Sequence, residues 1–366
     1  PGTCAELTTG VTMQMLCEAL GMSVPYSSTV PSVIAQTKHL AKLAGQKILE
    51  LAEKGIKPSD IITVDSMRNA IKLNMAVCGS TNTVIHLQGL AHELGLPITL
   101  DTWNEISEEV YPICSISRTG EYSICDLHYA GGVPAVLKEI SDTLDLDSMT
   151  VTGETVARNI EKAEVTDRRV IHEKDDPLFK LGAIKVLKGN IAPEGAVVRQ
   201  SVISNRDLLV ADFNARVFDS HHEALGAVLQ GDIKPMDAIV LKYEGPRGGP
   251  AMTELYFVVT AVKKMGLTNI AIITDGRFSG NTQGMVAIGH VSPEAYIGGP
   301  MAFIENGDTI HIDIPEGKMD LLVSDKVMAQ RKAEWTVPDK PIQKGVLAVY
   351  RNFALQAYDG AGWQLD

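Results

Sequence analysis

Asn269-Ile270-Ala271-Ile272-Ile273-Thr274-Asp275-Gly276-Arg277-Phe278-Ser279-Gly280 opens as a strand and closes as a loop. Residues 269–274 favour extended backbone, and the apolar run 270–273 reads as a buried strand. In α/β folds, polar Gly-rich loops at strand carboxyl ends are where ligands bind. Ser279, between Phe278 and Gly280, is a candidate exposed nucleophile or base. Position 277 is Arg rather than Gly, so this is not the G-x-S-x-G elbow. A plain Asp-Gly turn is the alternative.

Working outward, the second half is dense in short Val- and Ile-rich runs. Strands are expected at 183–187, 196–200, 216–219, 238–243, 302–305, 309–314 and 321–324. Helices are expected at 223–230, 253–265 and 325–335, and Glu305-Asn306-Gly307-Asp308 reads as a turn. That density predicts a barrel-like domain with flanking helices. The first half is mainly helical. Thr8 or Thr9 caps a helix running to Gly21, and Pro31 opens one that Gly55 stops. Ser66 caps a third through Ala76, and residues 83–94 continue as a fourth. The character changes in the polar stretch 161–177. The expected class is therefore α/β: residues 1–170 as the remainder of an α/β domain, and 171–366 as the barrel-like domain.

Composition narrows the function. The 366 residues suit two domains. A net charge of −12 argues against nucleic acid or an anionic membrane as partner, because their phosphates would repel the chain. No run of about 18 apolar residues occurs, so no membrane-spanning helix is expected. Five cysteines without C-x-x-C spacing argue against a disulfide framework and for a reducing, cytoplasmic setting.

Other segments carry chemistry as well. Cys4 precedes a helix start, where free N–H groups favour the thiolate that an iron–sulfur cluster or soft metal requires; the alternative is a small buried residue. Ser80, Thr81 and Asn82, in Gly79-Ser80-Thr81-Asn82-Thr83, can bind a carboxylate at a helix start or simply cap it. Glu254 follows the Gly-rich stretch 245–249, placed in a first helical turn as either a dipole-satisfying carboxylate or a Mg²⁺ ligand. No HExxH spacing or Walker A occurs. His221, His222 and His290 read as ordinary core or surface residues.

Taken in order, these segments resemble one family. They are Gly-Thr-Cys at 2–4, Glu-Ala-Leu-Gly-Met at 18–22, Gly-Ser-Thr-Asn-Thr at 79–83, and Asp-Leu-His-Tyr-Ala-Gly-Gly-Val-Pro-Ala-Val at 126–136. Leu-Lys-Gly-Asn-Ile-Ala-Pro-Glu-Gly-Ala-Val at 187–197 and Ala-Arg-Val-Phe-Asp-Ser at 215–220 follow. Glu-Gly-Pro-Arg-Gly-Gly-Pro at 244–250, Thr-Asp-Gly-Arg-Phe-Ser-Gly at 274–280, Gly-His-Val-Ser-Pro-Glu-Ala at 289–295 and Gly-Gly-Pro at 298–300 complete the series. The chain is similar to the C-terminal two-thirds of dihydroxy-acid / 6-phosphogluconate dehydratases.

The resemblance implies a hydro-lyase that converts a 2,3-dihydroxy acid to a 2-keto acid. It implies an iron–sulfur cluster (2Fe–2S or 4Fe–4S) held by three cysteines, with Cys4 matching the third. It also implies Mg²⁺, with Glu254 matching one ligand, and Ser279 as base; Ser80, Thr81, Asn82 and Arg277 are expected to bind substrate. The other cluster cysteines, a modified lysine and a further Mg²⁺ ligand match nothing here, so the chain is expected to be an inactive fragment when alone. Cys17, Cys78, Cys114 and Cys125 read as structural. Glu6, Val11, Cys78 and Ala251 depart from the family pattern, Cys78 and Ala251 at positions where Gly is usual. The 289–295 segment favours a branched-chain dihydroxy acid of valine and isoleucine synthesis. A sugar-acid dehydratase and a non-catalytic scaffold are the alternatives. The expected partner is the small-molecule acid, and the expected assembly a cytoplasmic homodimer.

Overall fold

In the second half of the chain, strands buried on both faces form a sheet that curls until its ends meet. A computed structural model describes residues 4–117, 119–280, 282–341 and 344–364; Gly2 and Thr3 of the first motif lie outside them. Two compact units emerge, residues 1–83 with 93–184, and residues 84–92 with 185–366.

The second unit carries β1 (Lys185–Leu187), β2 (Gly195–Val198), β3 (Val210–Phe218), β4 (Asp237–Leu241), β5 (Ala271–Thr274), β6 (Val286–Ser292), β7 (Thr309–Asp313) and β8 (Lys318–Leu321). Their spatial order is β1-β2-β6-β5-β4-β3-β7-β8. The central four, β3 to β6, are parallel, and the outer pairs are antiparallel. Past β1, Lys188 N–H donates to the Gly317 carbonyl (2.8 Å) and Met319 N–H to the Lys188 carbonyl (2.9 Å), joining the two edges. Closure removes the exposed edges that invite aggregation. At the seam, a Cβ on Gly189 would stand 2.1 Å from the Met319 carbonyl oxygen, so only glycine fits.

The barrel interior packs Phe213, Val240, Ile273, Ile288, Ile310, Ile312 and Met319. On its outside, α10 (His221–Gln230) and α11 (Tyr256–Lys264) cover Ile239, Leu241, Ile270 and Ile272. Burial on both faces explains why 270–273 is apolar without alternation. The α/β class and the barrel-like sheet with flanking helices are as expected from the sequence.

Several element boundaries differ from the sequence reading. β3 begins at Val210, six residues earlier than expected, and β8 ends where a strand was expected to start. Residues 302–305 form no strand, because Pro300 opens a 3-10 turn over Pro300–Phe303. β6, at the centre of the sheet, escaped the pattern because Gly289 and a left-handed His290 (φ 58°) interrupt it.

The first unit is built from α1 (Thr9–Ala19), α2 (Ala35–Lys54), α3 (Pro58–Ile61), α4 (Val64–Val77), the start of α5 (Asn82–Leu94), α6 (Leu100–Glu109), α7 (Ile124–Tyr129), α8 (Gly132–Glu139) and α9 (Val156–Ile160). Among its described residues, extended pairing is limited to isolated bridges such as Cys114 with Ile171. Residues 69–77 of α4 are buried on every face, and α1, α6 and α8 pack against it. Thr63, rather than Ser66, caps α4: Ser66 N–H donates to Thr63 Oγ1 (3.2 Å) and Thr63 N–H to Ser66 Oγ (2.9 Å). Pro31 does not open α2, because the Thr37 hydroxyl donates to the Pro31 carbonyl (3.0 Å) and holds 31–34 as turns. Gly55 ends α2 with φ 70°, as its position predicts.

Candidate active site

At the carboxyl ends of β4 and β5, buried carboxylates organise the Gly-rich loops. Asp275 is fully buried and accepts the N–H groups of Glu244 (2.8 Å), Ala295 (2.9 Å) and Tyr243 (3.2 Å). Burial first, and Glu294 second, push its carboxyl up to about 7. Glu294 takes the N–H groups of Arg247 and Gly248 and the Gln356 amide. Glu244 accepts from His221, by main-chain N–H (3.2 Å) and at ring Nδ1 (2.9 Å). One aspartate and two glutamates thus pin the loops that follow three different strands. Sequence reasoning missed all three, because their partners lie 20 to 62 residues away along the chain.

The loop after β5 carries the expected chemistry. Glu254 does not lie in a helical turn; α11 starts at Tyr256, and Glu254 instead forms an extended bridge with Arg277. Leu255 N–H donates to the Arg277 carbonyl (3.0 Å). The guanidinium of Arg277 donates from Nε to the Met252 carbonyl (2.9 Å) and lies 3.9 Å from Glu254 Oε1. Both side chains are about one-third exposed, so this ion pair stabilises weakly and both groups stay open to a ligand. Phe278 is buried, and half-buried Ser279 follows on the same loop, its carbonyl accepting Thr282 N–H (2.9 Å). The second unit therefore pairs Glu254 with Arg277, and Ser279 follows two residues on along the same loop.

His290 stands behind this loop. Its N–H donates to the Gly276 carbonyl (2.8 Å), while its buried ring has no hydrogen-bond partner among the described residues at either nitrogen. Desolvation, then Arg277 and His86, lower its pKa to about 3. In the unfolded chain the ring takes a proton near 6.5. The unfolded state thus binds more protons between these values, and stability falls as pH drops from 6.5 toward 3. Chemical denaturation at pH 7 and pH 5 should show this loss in the wild type and a smaller one in His290→Gln. Equal losses would show that the ring protonates in the folded state.

At two of the departures from the family pattern the backbone itself favours glycine. Ala251 (φ 70°) and Cys78 (φ 57°) both sit in the left-handed region, where glycine is free of the Cβ clash. Ala251 is exposed, so Ala251→Gly removes strain without opening a cavity. We expect it to raise stability by about 0.5–1 kcal/mol in a denaturant titration.

In the first unit, Ser80 and Asn82 are fully buried and tied to the start of α1. Ser80 Oγ lies 2.8 Å from Thr9 Oγ1, and the Asn82 amide donates to Thr9 Oγ1 (2.9 Å). Thr81 is half-buried. Asn82 Oδ1 has no partner among the described residues. Cys4 is exposed, which sets aside the buried-residue alternative. It lies five positions ahead of Thr9, beyond the first turn through which a helix dipole acts. Cys78 and Cys114 are buried, and Cys125 is exposed. Burial, and then Cys78, drive the Cys114 thiol strongly upward. Glu18, in the 18–22 motif, went unnoticed in the sequence. Its buried carboxylate takes the N–H groups of Tyr26 (2.7 Å) and Ser28 (3.2 Å), and the Ser28 hydroxyl, fixing the loop after α1.

Among the described residues, no group of three or more His, Cys, Asp or Glu side chains is placed to hold a metal ion. Cys4 and Glu254 stand as single candidate ligands, so these residues do not by themselves form a cluster site or a magnesium site. No helix among the described residues is long and apolar enough to cross a membrane.

The second unit is thus a barrel-like α/β domain that carries Glu254, Arg277 and Ser279 on loops at its strand ends. The family model described as dihydroxy-acid/6-phosphogluconate dehydratase C-terminal matches residues 169–361, and its N-terminal counterpart matches residues 1–159. Relatives named dihydroxy-acid dehydratase include those of Acetivibrio thermocellus and Ignicoccus hospitalis, each 47% identical, and of Caldanaerobacter subterraneus subsp. tengcongensis, 48% identical. In each case the match covers 98% of this chain and 65% of the relative. The chain belongs to the dihydroxy-acid/6-phosphogluconate dehydratase family.

Proposed function

We propose that the protein is a hydro-lyase that dehydrates a 2,3-dihydroxy acid to a 2-keto acid, with a branched-chain acid as substrate. The observation that carries the reading is the pairing of Glu254 with Arg277 on the strand-end loops of the second unit, with Ser279 two residues beyond Arg277. The relatives are named for a dihydroxy acid, and the Gly-His-Val-Ser-Pro-Glu-Ala segment at 289–295 favours a branched-chain one.

In this reading the Arg277 guanidinium pairs with the substrate carboxylate, which lowers the cost of charge building at C2. Ser279 Oγ takes the C2 proton. The C2–H electron pair becomes the C2–C3 double bond, and the C3 hydroxyl leaves as water with the proton that Ser279 took from C2. The enol so formed tautomerises to the 2-keto acid. A serine hydroxyl acts as a base only when cations stabilise its alkoxide, and Arg277, two residues away, is one such cation. The test is turnover of a C2-deuterated dihydroxy acid by the full-length protein. A primary isotope effect on kcat/KM is expected; a keto acid that carries all of that deuterium at C3, the mark of a 1,2-hydride shift from C2, would overturn the mechanism.

We further propose that a cluster and Mg²⁺ in the working enzyme draw most of their ligands from outside the described residues. Cys4 is one thiolate where a cluster takes several, and Mg²⁺ dehydrates too reluctantly for Glu254 alone. Anaerobic reconstitution of residues 1–366 with iron and sulfide should therefore give no stoichiometric cluster and no keto acid. A stoichiometric cluster would place Cys17, Cys78, Cys114 or Cys125 in the ligand set.

A further inference from the structure

Around the Ser279 loop, most buried polar groups are paired. Asp275 accepts three N–H groups, Thr274 Oγ1 accepts Gly276 N–H (3.0 Å), and the Ser292 hydroxyl donates to the His290 carbonyl (3.0 Å). The exceptions flank the loop. Thr282 Oγ1 and both ring nitrogens of His290 are buried without a hydrogen-bond partner among the described residues. An unpaired buried polar group costs about 1–3 kcal/mol, so two such side chains together suggest a function.

The backbone holds His290 where it is. Its left-handed φ of 58° is unusual within a strand, and its N–H is fixed on the Gly276 carbonyl. Gly289 beside it lets Phe278 pack against the strand, since a Cβ there would meet the Phe278 ring at 3.1 Å. Arg277 and His86 both lie near enough to oppose a charge on the ring. The ring is therefore a neutral imidazole, with one N–H donor and one lone-pair acceptor. A carboxylate matches only the donor, and an ammonium only the acceptor. A hydroxyl matches either nitrogen in either tautomer.

We propose that His290 recognises a hydroxyl group of the ligand at the Ser279 loop, so that it selects hydroxy acids over plain carboxylic acids. The inference rests on the dehydratase reading and adds a specificity residue to it. A site built to bond a hydroxyl discriminates strongly against analogues that lack it, because the site's own polar atoms are then left unpaired.

The test uses the full-length enzyme and two probes, a branched 2,3-dihydroxy acid and the carboxylic acid of the same skeleton without hydroxyls. Calorimetric titration should show His290→Phe binding the dihydroxy acid roughly tenfold or more weakly, with the plain acid unaffected. His290→Gln, which keeps a donor and an acceptor, should recover part of the loss. Should the Phe variant fail to fold, the ¹⁵N resonances of the wild-type ring decide the matter. They are expected to move with the dihydroxy acid and not with the plain acid. Equal weakening of both probes by His290→Phe, or ring resonances that both probes move alike, would overturn the assignment. Turnover of the dihydroxy acid with the ring resonances unmoved would overturn it while leaving the dehydratase reading intact. Binding of neither probe to the wild type would overturn both.

Discussion

Ser279→Ala in the full-length enzyme is expected to lower kcat by about 10³-fold, the middle of the range for loss of a general base. The substitution removes only Oγ. The loop is held by main-chain contacts that alanine keeps, including the Ser279 carbonyl with Thr282 N–H and the His290 N–H with the Gly276 carbonyl. The melting temperature should therefore stay near the wild-type value, and any bound cluster should keep its visible absorbance. KM should change little if Ser279 acts only in proton removal. A folded variant with near-normal kcat would remove Ser279 from the chemistry. Loss of the cluster in a folded variant would give it a structural role.

Asp275→Ala is expected to cost about 3–5 kcal/mol of stability. It would orphan three main-chain N–H groups, of Tyr243, Glu244 and Ala295, in a fully buried setting. In a unit of this size that corresponds to a fall in melting temperature of roughly 10 °C. Asp275→Asn keeps one acceptor oxygen but turns an NH₂ toward N–H donors, so it should fall between the two. Thermal melts of the three proteins give the order. An alanine variant as stable as the wild type would mean that the loops after β4 and β5 do not depend on this carboxylate.

Local patterns showed much of the fold in advance. The apolar run 270–273 marks β5 because a strand covered on both faces needs no alternation, and Gly55 marks the end of α2 because it takes up φ 70°. What was hidden depends on contacts remote in sequence. Nothing near Val286 reveals that it pairs with Ala271, or that a strand can continue through a left-handed His290. Glu254 read as part of a helix because Thr253–Met265 is helical in period, yet its pairing with Arg277 holds it extended.

The site was legible to a similar depth. Ser279 and Arg277 stand out because a polar Gly-rich loop ends a buried strand. Asp275 in the same loop read only as part of a turn, and its role as acceptor for three N–H groups becomes visible once β4 and β5 lie side by side. His290 read as an isolated histidine. Its burial and its two unpaired nitrogens follow from neighbours supplied by α5, β5 and β6, which no spacing rule connects.

The most direct test of the central claim is keto-acid release by the full-length protein, assayed anaerobically with a branched 2,3-dihydroxy acid, an aldonate and 6-phosphogluconate. The account predicts 2-keto acid from the branched substrate at a kcat/KM well above either sugar acid, and loss of that activity in Ser279→Ala. No keto acid from any of the three, from protein that carries its metals, would contradict it.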